Sequence, residues 1–236
     1  MAPSPQPPAA ESNGRRSDCV VDTDGLECLP EVLEELFPEA ESVERACWSQ
    51  QLAGYSRHLH RWSGRMNLVA DGDRSELVAK HIIPSLLMRS AIVAIPHRQI
   101  VDIGSGAGLP GIPLKVVLPG TDFVLVESRR RRASFLREVV RRLSLGRISV
   151  ENTRIEQWRN PRCGGAEVVT ARAVASPAEL LRLIRPILAP CGHLLVYLPT
   201  DRSPSEMNPP PVEVCTAAWR GVEVRLGLWK QSAGLA

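Results

Sequence analysis

The stretch Val101-Asp102-Ile103-Gly104-Ser105-Gly106-Ala107-Gly108 decides how the rest of the chain is read. A short apolar strand, Ile100–Ile103, runs into a glycine-rich turn, and that order predicts a helix next. Glycines there let the main chain approach a ligand with no side chain in between. In open α/β sheets, crevices at the carboxyl ends of strands are where ligands bind. The dinucleotide fingerprint asks for a glycine at the sixth position, but counting from Gly104 that residue is Leu109. A pyrophosphate cradle of that type is therefore excluded.

Downstream, apolar strands alternate with helices. Phe123–Val126, Ile148–Val150, Val168–Ala171 and His193–Leu198 read as strands. Arg130–Leu143 reads as a helix with Leu136, Val139, Val140 and Leu143 facing inward. Ser176-Pro177-Ala178-Glu179 is a helix start, with a serine cap, proline at the first helical position and glutamate at the third. The alternation predicts an α/β fold with a doubly wound, mostly parallel sheet. A Pro-rich run to Val212 follows, and Val222–Trp229 reads as a last strand.

Upstream, Leu29 to Phe37 predicts a short helix closed by Pro38. Trp48, Leu52, Tyr55, Leu59 and Trp62 recur at spacings that put them on one helix face, a core stripe or, for Trp48 or Trp62, a base-stacking surface. A further helix is expected to start near Asp73 or Ser75, with Glu76 in a capping arrangement, and to kink or end at Pro84. Residues 1–24 read as a disordered tail, 25–95 as an N-terminal helical extension, and 96–236 as the α/β domain that carries the glycine loop.

The bulk chemistry narrows the function classes. No run of about eighteen apolar residues suggests a membrane span, and the first residues do not resemble a secretory signal. The six cysteines form no C-x-x-C pair and no zinc pattern, which fits a reducing cytoplasm and no metal. Residues 1–46 hold 11 acidic and 3 basic side chains, a net of −8, which leaves +11 on the remainder against a total of +3. A basic body behind an acidic leader suits a polyanionic partner, although a bias toward arginine in the genome would give a similar excess.

The ligand chemistry follows from the loop. A G-x-G-x-G run with Asp102 two residues before it suits S-adenosylmethionine, which carries a carboxylate, an ammonium and a sulfonium but no pyrophosphate. Backbone amides can take the carboxylate, and Asp102 the ammonium, directly or through water. Glu127 closes the second strand 19 residues after Gly108, where a carboxylate can accept both ribose hydroxyls. A tight turn and a solvated strand-end glutamate is the plainer alternative.

The longer run Gly104-Ser105-Gly106-Ala107-Gly108-Leu109-Pro110-Gly111-Ile112-Pro113 is more specific. It resembles the small-subunit (16S) ribosomal RNA guanine-N7 methyltransferases, the glucose-inhibited division protein B family. Asn67-Leu68, His81-Ile82-Ile83, Arg131-Arg132, Phe135-Leu136-Arg137, Arg154-Ile155-Glu156 and Thr170-Ala171-Arg172-Ala173 follow in the family's order. The resemblance covers about residues 48–198 and implies a Rossmann-like class I methyltransferase fold acting on the 530-loop region. It implies a cofactor site using Gly104, Gly106, Leu109 and Glu127, with Ile155 and Glu156 near the adenine and Arg172 beside them. The loop reading adds Asp102 and Gly108 to that set. The RNA-facing set it implies is Asn67, His81, Arg131, Arg132 and Arg154, with Arg172 positioning the target base. Two positions depart from the family's pattern: Pro84 where an Asp is usual, and Pro199-Thr200 where Lys-Gly is usual.

Guanine N7 has a lone pair and no proton, so its methylation needs alignment rather than a general base. The partners implied are ribosomal RNA or the small subunit, met by a cytoplasmic monomer. Two other readings stay open on sequence: a methyltransferase for another RNA base or a small molecule, and a catalytically silent RNA-binding protein of the same fold.

Overall fold

The computed structural model describes residues 25–159, 161, 165–172 and 175–231. The tail expected over residues 1–24 lies outside them, as do Cys19, Cys163 and Ala173.

Among the described residues, four α-helices precede the sheet: α1 (Leu29–Leu36), α2 (Ser42–Met66), α3 (Ile83–Leu87) and α4 (Arg89–Val93). Strands and helices then alternate as β1 (Gln99–Ile103), α5 (Gly111–Val117), β2 (Asp122–Val126), α6 (Arg130–Arg142) and β3 (Ile148–Glu151). They continue as β4 (Ala166–Ala171), α7 (Pro177–Ile184), β5 (Leu188–Tyr197), β6 (Glu213–Trp219) and β7 (Val222–Lys230). One seven-stranded sheet has the order β3-β2-β1-β4-β5-β7-β6. The β1 to β5 pairings are parallel, and β7 joins β5 and β6 antiparallel. This is the expected α/β doubly wound sheet with helices ahead of it. The order reverses between β1 and β4, and a crevice is expected beyond their carboxyl ends.

Alternation within the strands builds two cores. Ile100, Phe123, Leu125, Val168 and Leu195 face one side, where α1 to α6 pack. Val101, Ile103, Val124, Val169 and Leu194 face the other, against α7, Trp158 and Trp229. The N-terminal helices thus share a continuous core with α5 and α6. Fully buried Tyr55 of α2 donates its hydroxyl to Ala107 O at 2.9 Å, which ties the extension to the glycine loop.

Several local expectations need correcting. No helix with an Asp73 cap begins at residues 73–75; a 3-10 turn spans Asp71–Glu76, and a π turn spans Val78–Ile82. Proline 84 does not end the helical path. It lies in the first turn of α3, and the path before it widens so that Ile83 N bonds Val78 O. Proline has no N–H for the Lys80 carbonyl, which removes the α-type bond at that step. Trp62 belongs to the stripe but is only half-buried. β5 begins five residues before the expected His193, and β6 was not expected at all.

Candidate active site

The crevice opens above the carboxyl ends of β1 and β4, with a cavity volume of about 540 Å³. Its walls include His81, Gly104, Gly106, Leu109, Glu127 and Arg172. Gly104 and Gly106 turn with φ of 63° and 54°, a backbone region that L side chains avoid. Glu127 is almost fully buried at the end of β2. Its Oε2 accepts from Gly106 N at 2.9 Å and its Oε1 from Arg129 N at 2.7 Å. The carboxylate therefore fixes the loop while facing the crevice.

Two loop residues expected at the ligand lie elsewhere. Asp102 is 0 % exposed beneath the loop and does not line the crevice. Its Oδ1 accepts from Thr170 Oγ1 at 2.9 Å, so it bridges β1 to β4. Burial pushes its carboxyl up to about 6, with the Thr170 hydrogen bond opposing the shift. Gly108 also lies away from the crevice. A Cβ added there would sit 2.6 Å from Ile112 Cγ1 and 3.0 Å from Leu136 Cδ2, so this glycine permits α5 and α6 to pack. Alternating strand residues explain Asp102: it points to the opposite face from Val101 and Ile103, into the loop's underside.

Opposite Glu127, Arg172 reaches from the end of β4. Its Nη2 lies 2.9 Å from His81 Nδ1, and its guanidinium carbon lies 5.6 Å from the Tyr197 ring centroid. His81 sits in the π turn, and its Nε2 lies 3.3 Å from Asp73 Oδ2. Burial, with the Arg172 charge second, holds this imidazole below its ordinary range. Neutral His81 can then accept from Arg172 at Nδ1 and carry its proton on Nε2 toward Asp73. Asp73 is itself kept ionised by its Lys80 hydrogen bond at 3.0 Å. Arg172 Nη1 is buried with no hydrogen-bond partner among the described residues. A guanidinium donor left over in a crevice wall is a donor for a ligand.

A second lobe of about 300 Å³ shares Gly104 and Ser128 with the first. Arg154, Ile155 and Glu156 line it, with Ile155 buried and the other two exposed. Asn152 Nδ2 donates to Glu127 O and Ser128 O at 2.9 and 3.1 Å, holding the ledge between the lobes.

The expected RNA-facing residues divide. Arg132 lines the crevice and donates Nη2 to Asn67 O at 3.0 Å, where α2 ends in a left-handed cap. Asn67 is exposed, but its side chain is not part of the crevice wall. Arg131 turns to the other side of α6, into a separate groove. Sequence reasoning missed Tyr55, Asp73 and Tyr197 as supports. A buried tyrosine must place its hydroxyl, which was the available signal for Tyr55. Tyr197 donates to Pro84 O at 3.1 Å, so the carbonyl of the unusual proline is satisfied.

The family model described as GidB, rRNA small subunit methyltransferase G, matches residues 48–208. The chain is 39% identical over 150 residues to the ribosomal RNA small subunit methyltransferase G of Stenotrophomonas maltophilia (strain K279a), covering 64% of this chain and 68% of that protein. It is 37% identical over 146 residues to the protein of the same name from Halorhodospira halophila, covering 62% and 67%. A solved structure of precorrin-6y C5,15-methyltransferase from Geobacter metallireducens superposes with a TM-score of 0.49 at 12% identity, over 66% of this chain and 91% of that one.

Proposed function

We propose, from the premise that the chain belongs to the rRNA small subunit methyltransferase G family, that it transfers a methyl group from S-adenosylmethionine to N7 of a guanine in small-subunit (16S) ribosomal RNA. The observation that carries this is the crevice itself: a glycine loop and Glu127 on one side, Arg172 with an unused donor on the other. S-adenosylmethionine supplies the methyl group as a sulfonium. Gly104, Gly106 and Leu109 let its chain approach the loop, and Glu127 accepts ribose hydroxyls. Ile155 and Glu156 serve the adenine end in the adjoining lobe. Asp102 acts from beneath, holding β1 to β4, rather than on the ligand.

Because N7 holds a lone pair, no side chain need remove a proton. Neutral His81 fits that economy: it orients Arg172 through Nδ1 and adds no charge near a base that becomes cationic. Arg172 Nη1 is then free to donate to the guanine O6 or to the cofactor carboxylate. Alignment with exclusion of water supplies the rate. Arg132 and Arg154 at the rims suit the phosphates of an RNA partner. The reading places the protein in the cytoplasm as a monomer acting on ribosomal RNA or the small subunit. No helix among the described residues is long and apolar enough to cross a membrane.

Mass mapping of small-subunit RNA from cells with and without the gene tests the proposal. One guanine should lose its methyl group on deletion and regain it on complementation. An unchanged RNA map, or a methyl group lost from another base, overturns it.

A further inference from the structure

Beside the crevice, across the first turn of α6, lies a second cavity of about 680 Å³ between α2 and α6. We propose that this groove docks an unpaired nucleotide of the RNA substrate next to the target guanine, with its base against Trp62 and its phosphates on Arg65, Arg130 and Arg131. The inference rests on the ribosomal RNA reading above.

The groove is aromatic at its floor and basic at its rim. His58 and Phe135 stack there with ring centroids 5.5 Å apart and planes 10° apart, and both are buried. Trp62 is only half-buried, and the Arg65 guanidinium lies 5.8 Å from its ring centroid. His58 Nε2 is buried with no hydrogen-bond partner among the described residues, so the wall holds an unused polar atom. Arg65, Arg130 and Arg131 are exposed, and none has an ion-pair or hydrogen-bond partner among the described residues. The acid on the wall, Glu138, is already engaged by Arg141 and Arg142 at 2.9 and 2.5 Å. Flat aromatic surface with unpaired guanidinium groups around it complements a base and its phosphates.

The position of the groove ties it to the reaction. One helical turn carries Arg129 and Arg132 into the crevice and Arg130 and Arg131 into the groove. Likewise Met66, at the end of α2, lines the groove, while Leu68 and Val69 line the crevice. A strand crossing the start of α6 can therefore meet both cavities. Arginines sit unfavourably at a helix N-terminus, where the dipole is positive. A phosphate partner offsets that local conflict.

The test uses full-length protein and a stem-loop oligoribonucleotide with unpaired purines, followed by fluorescence anisotropy. Trp62→Ala should weaken RNA affinity about tenfold, and Trp62→Phe should restore most of it. Arg130→Gln with Arg131→Gln, both on the surface, should flatten the salt dependence by about 1.4, two phosphate contacts at about 0.7 each. Calorimetry with S-adenosylmethionine should be unchanged in all variants, which also shows that they fold. Wild-type RNA affinity and salt slope in folded variants overturn the groove, whether or not the protein methylates RNA. Loss of affinity in the variants, with a wild-type protein that binds but never methylates, supports the groove and overturns the enzyme reading instead. A wild-type protein with no measurable affinity for the RNA overturns the groove as well.

Discussion

β1 and β6 belong to one sheet but obey different constraints. β1, Gln99–Ile103, is buried along its whole length and pairs in parallel on both sides. β6, Glu213–Trp219, is an edge strand whose residues alternate exposed and half-buried from Val214 on, and among the described residues it pairs only with β7. Parallel strands covered on both faces read as near-continuous apolar runs, and the buried polar residue in the middle of β1, Asp102, is tied to Thr170 of β4. An edge strand need only show one half-covered face and keep the other soluble. The crevice stands at the end of β1, where Leu109 and Glu127 of its wall are buried and Tyr55 holds Ala107 of the loop. The hairpin is pinned more loosely: Arg220, in its turn, reaches Glu31 and Glu35 of α1 at 2.7 and 2.6 Å, all on the surface. The crevice thus stands on the tightly packed half of the sheet, and substitutions in the two halves should differ in cost.

The largest effect should come from the loop. Gly108 has a φ of 95° and a Cβ there would overlap Ile112 and crowd Leu136. Gly108→Ala combines left-handed backbone strain with overpacking between α5 and α6, a loss of about 2–5 kcal/mol. Melting should fall by roughly 5–15 °C. Cofactor binding, measured by calorimetry, should weaken with it, since the loop is held by these helices. A fall in melting of only a degree or two would mean that α5 shifts freely, and the contrast with the hairpin would collapse.

Asp102 tests the same half by pH. Its folded-state value of about 6 stands above the ordinary 3.8, because burial penalises the charged form. Folding is favoured while the group is protonated in the native state, so this contribution is full below pH ~4 and is lost as pH rises through ~6. Two units correspond to about 3 kcal/mol. Asp102→Asn keeps an oxygen for Thr170 and removes the titration, so denaturation midpoints between pH 4 and 7 should lose this fall with rising pH and keep only the opposite slope of His58, His81 and His193, which burial holds below their ordinary range. A wild-type slope surviving in the variant would assign it to another group.

Arg172 comes next. Lysine keeps the charge but loses the planar fork that meets His81 and leaves a donor for the ligand. Arg172→Lys should lower kcat/KM for small-subunit RNA about tenfold, equivalent to about 1.4 kcal/mol, with a smaller change in RNA affinity. Single-turnover methylation at saturating cofactor measures it. Wild-type rates in a stable variant would leave Arg172 as a strand-end support only.

What could be read from the sequence follows the same division. The glycine loop, the five parallel strands and the Ser176 cap of α7 all carry local signals that packing reinforces. Glu127 and Arg172 could be put near one crevice because both follow strand ends that converge there, while Leu109 was implied by the family resemblance. The inward turn of Asp102 and the packing role of Gly108 could not, since both depend on which helix lies behind the loop. Arg131 and Arg132 are adjacent in sequence and occupy different cavities, a split that only the helix's orientation decides. β6 escaped because its turn, Arg220-Gly221, lacks the Asn-Gly or Asp-Gly signal of a tight hairpin. The π turn at His81 escaped because a proline read as a stop was absorbed by a wider turn.

The smallest effect is expected at that hairpin turn. Gly221 has a φ of 85°, close to that of Gly108, but a Cβ there would meet nothing within 4 Å. Gly221→Ala therefore isolates backbone strain from crowding. The strain alone should cost about 1–2 kcal/mol, offset in part because alanine also restricts the unfolded chain. A net loss near 1 kcal/mol should lower melting by roughly 2–4 °C. The pairing of Trp219 with Val222 keeps the turn at two residues, so the chain cannot escape the strain by lengthening the loop. Cofactor affinity should not change, because the turn closes the edge of the sheet and the crevice stands above β1 and β4. Calorimetric unfolding of Gly108→Ala and Gly221→Ala side by side gives the crowding contribution as their difference. Equal losses in the two would mean that backbone conformation, rather than packing beneath the crevice, is what makes the loop glycine indispensable.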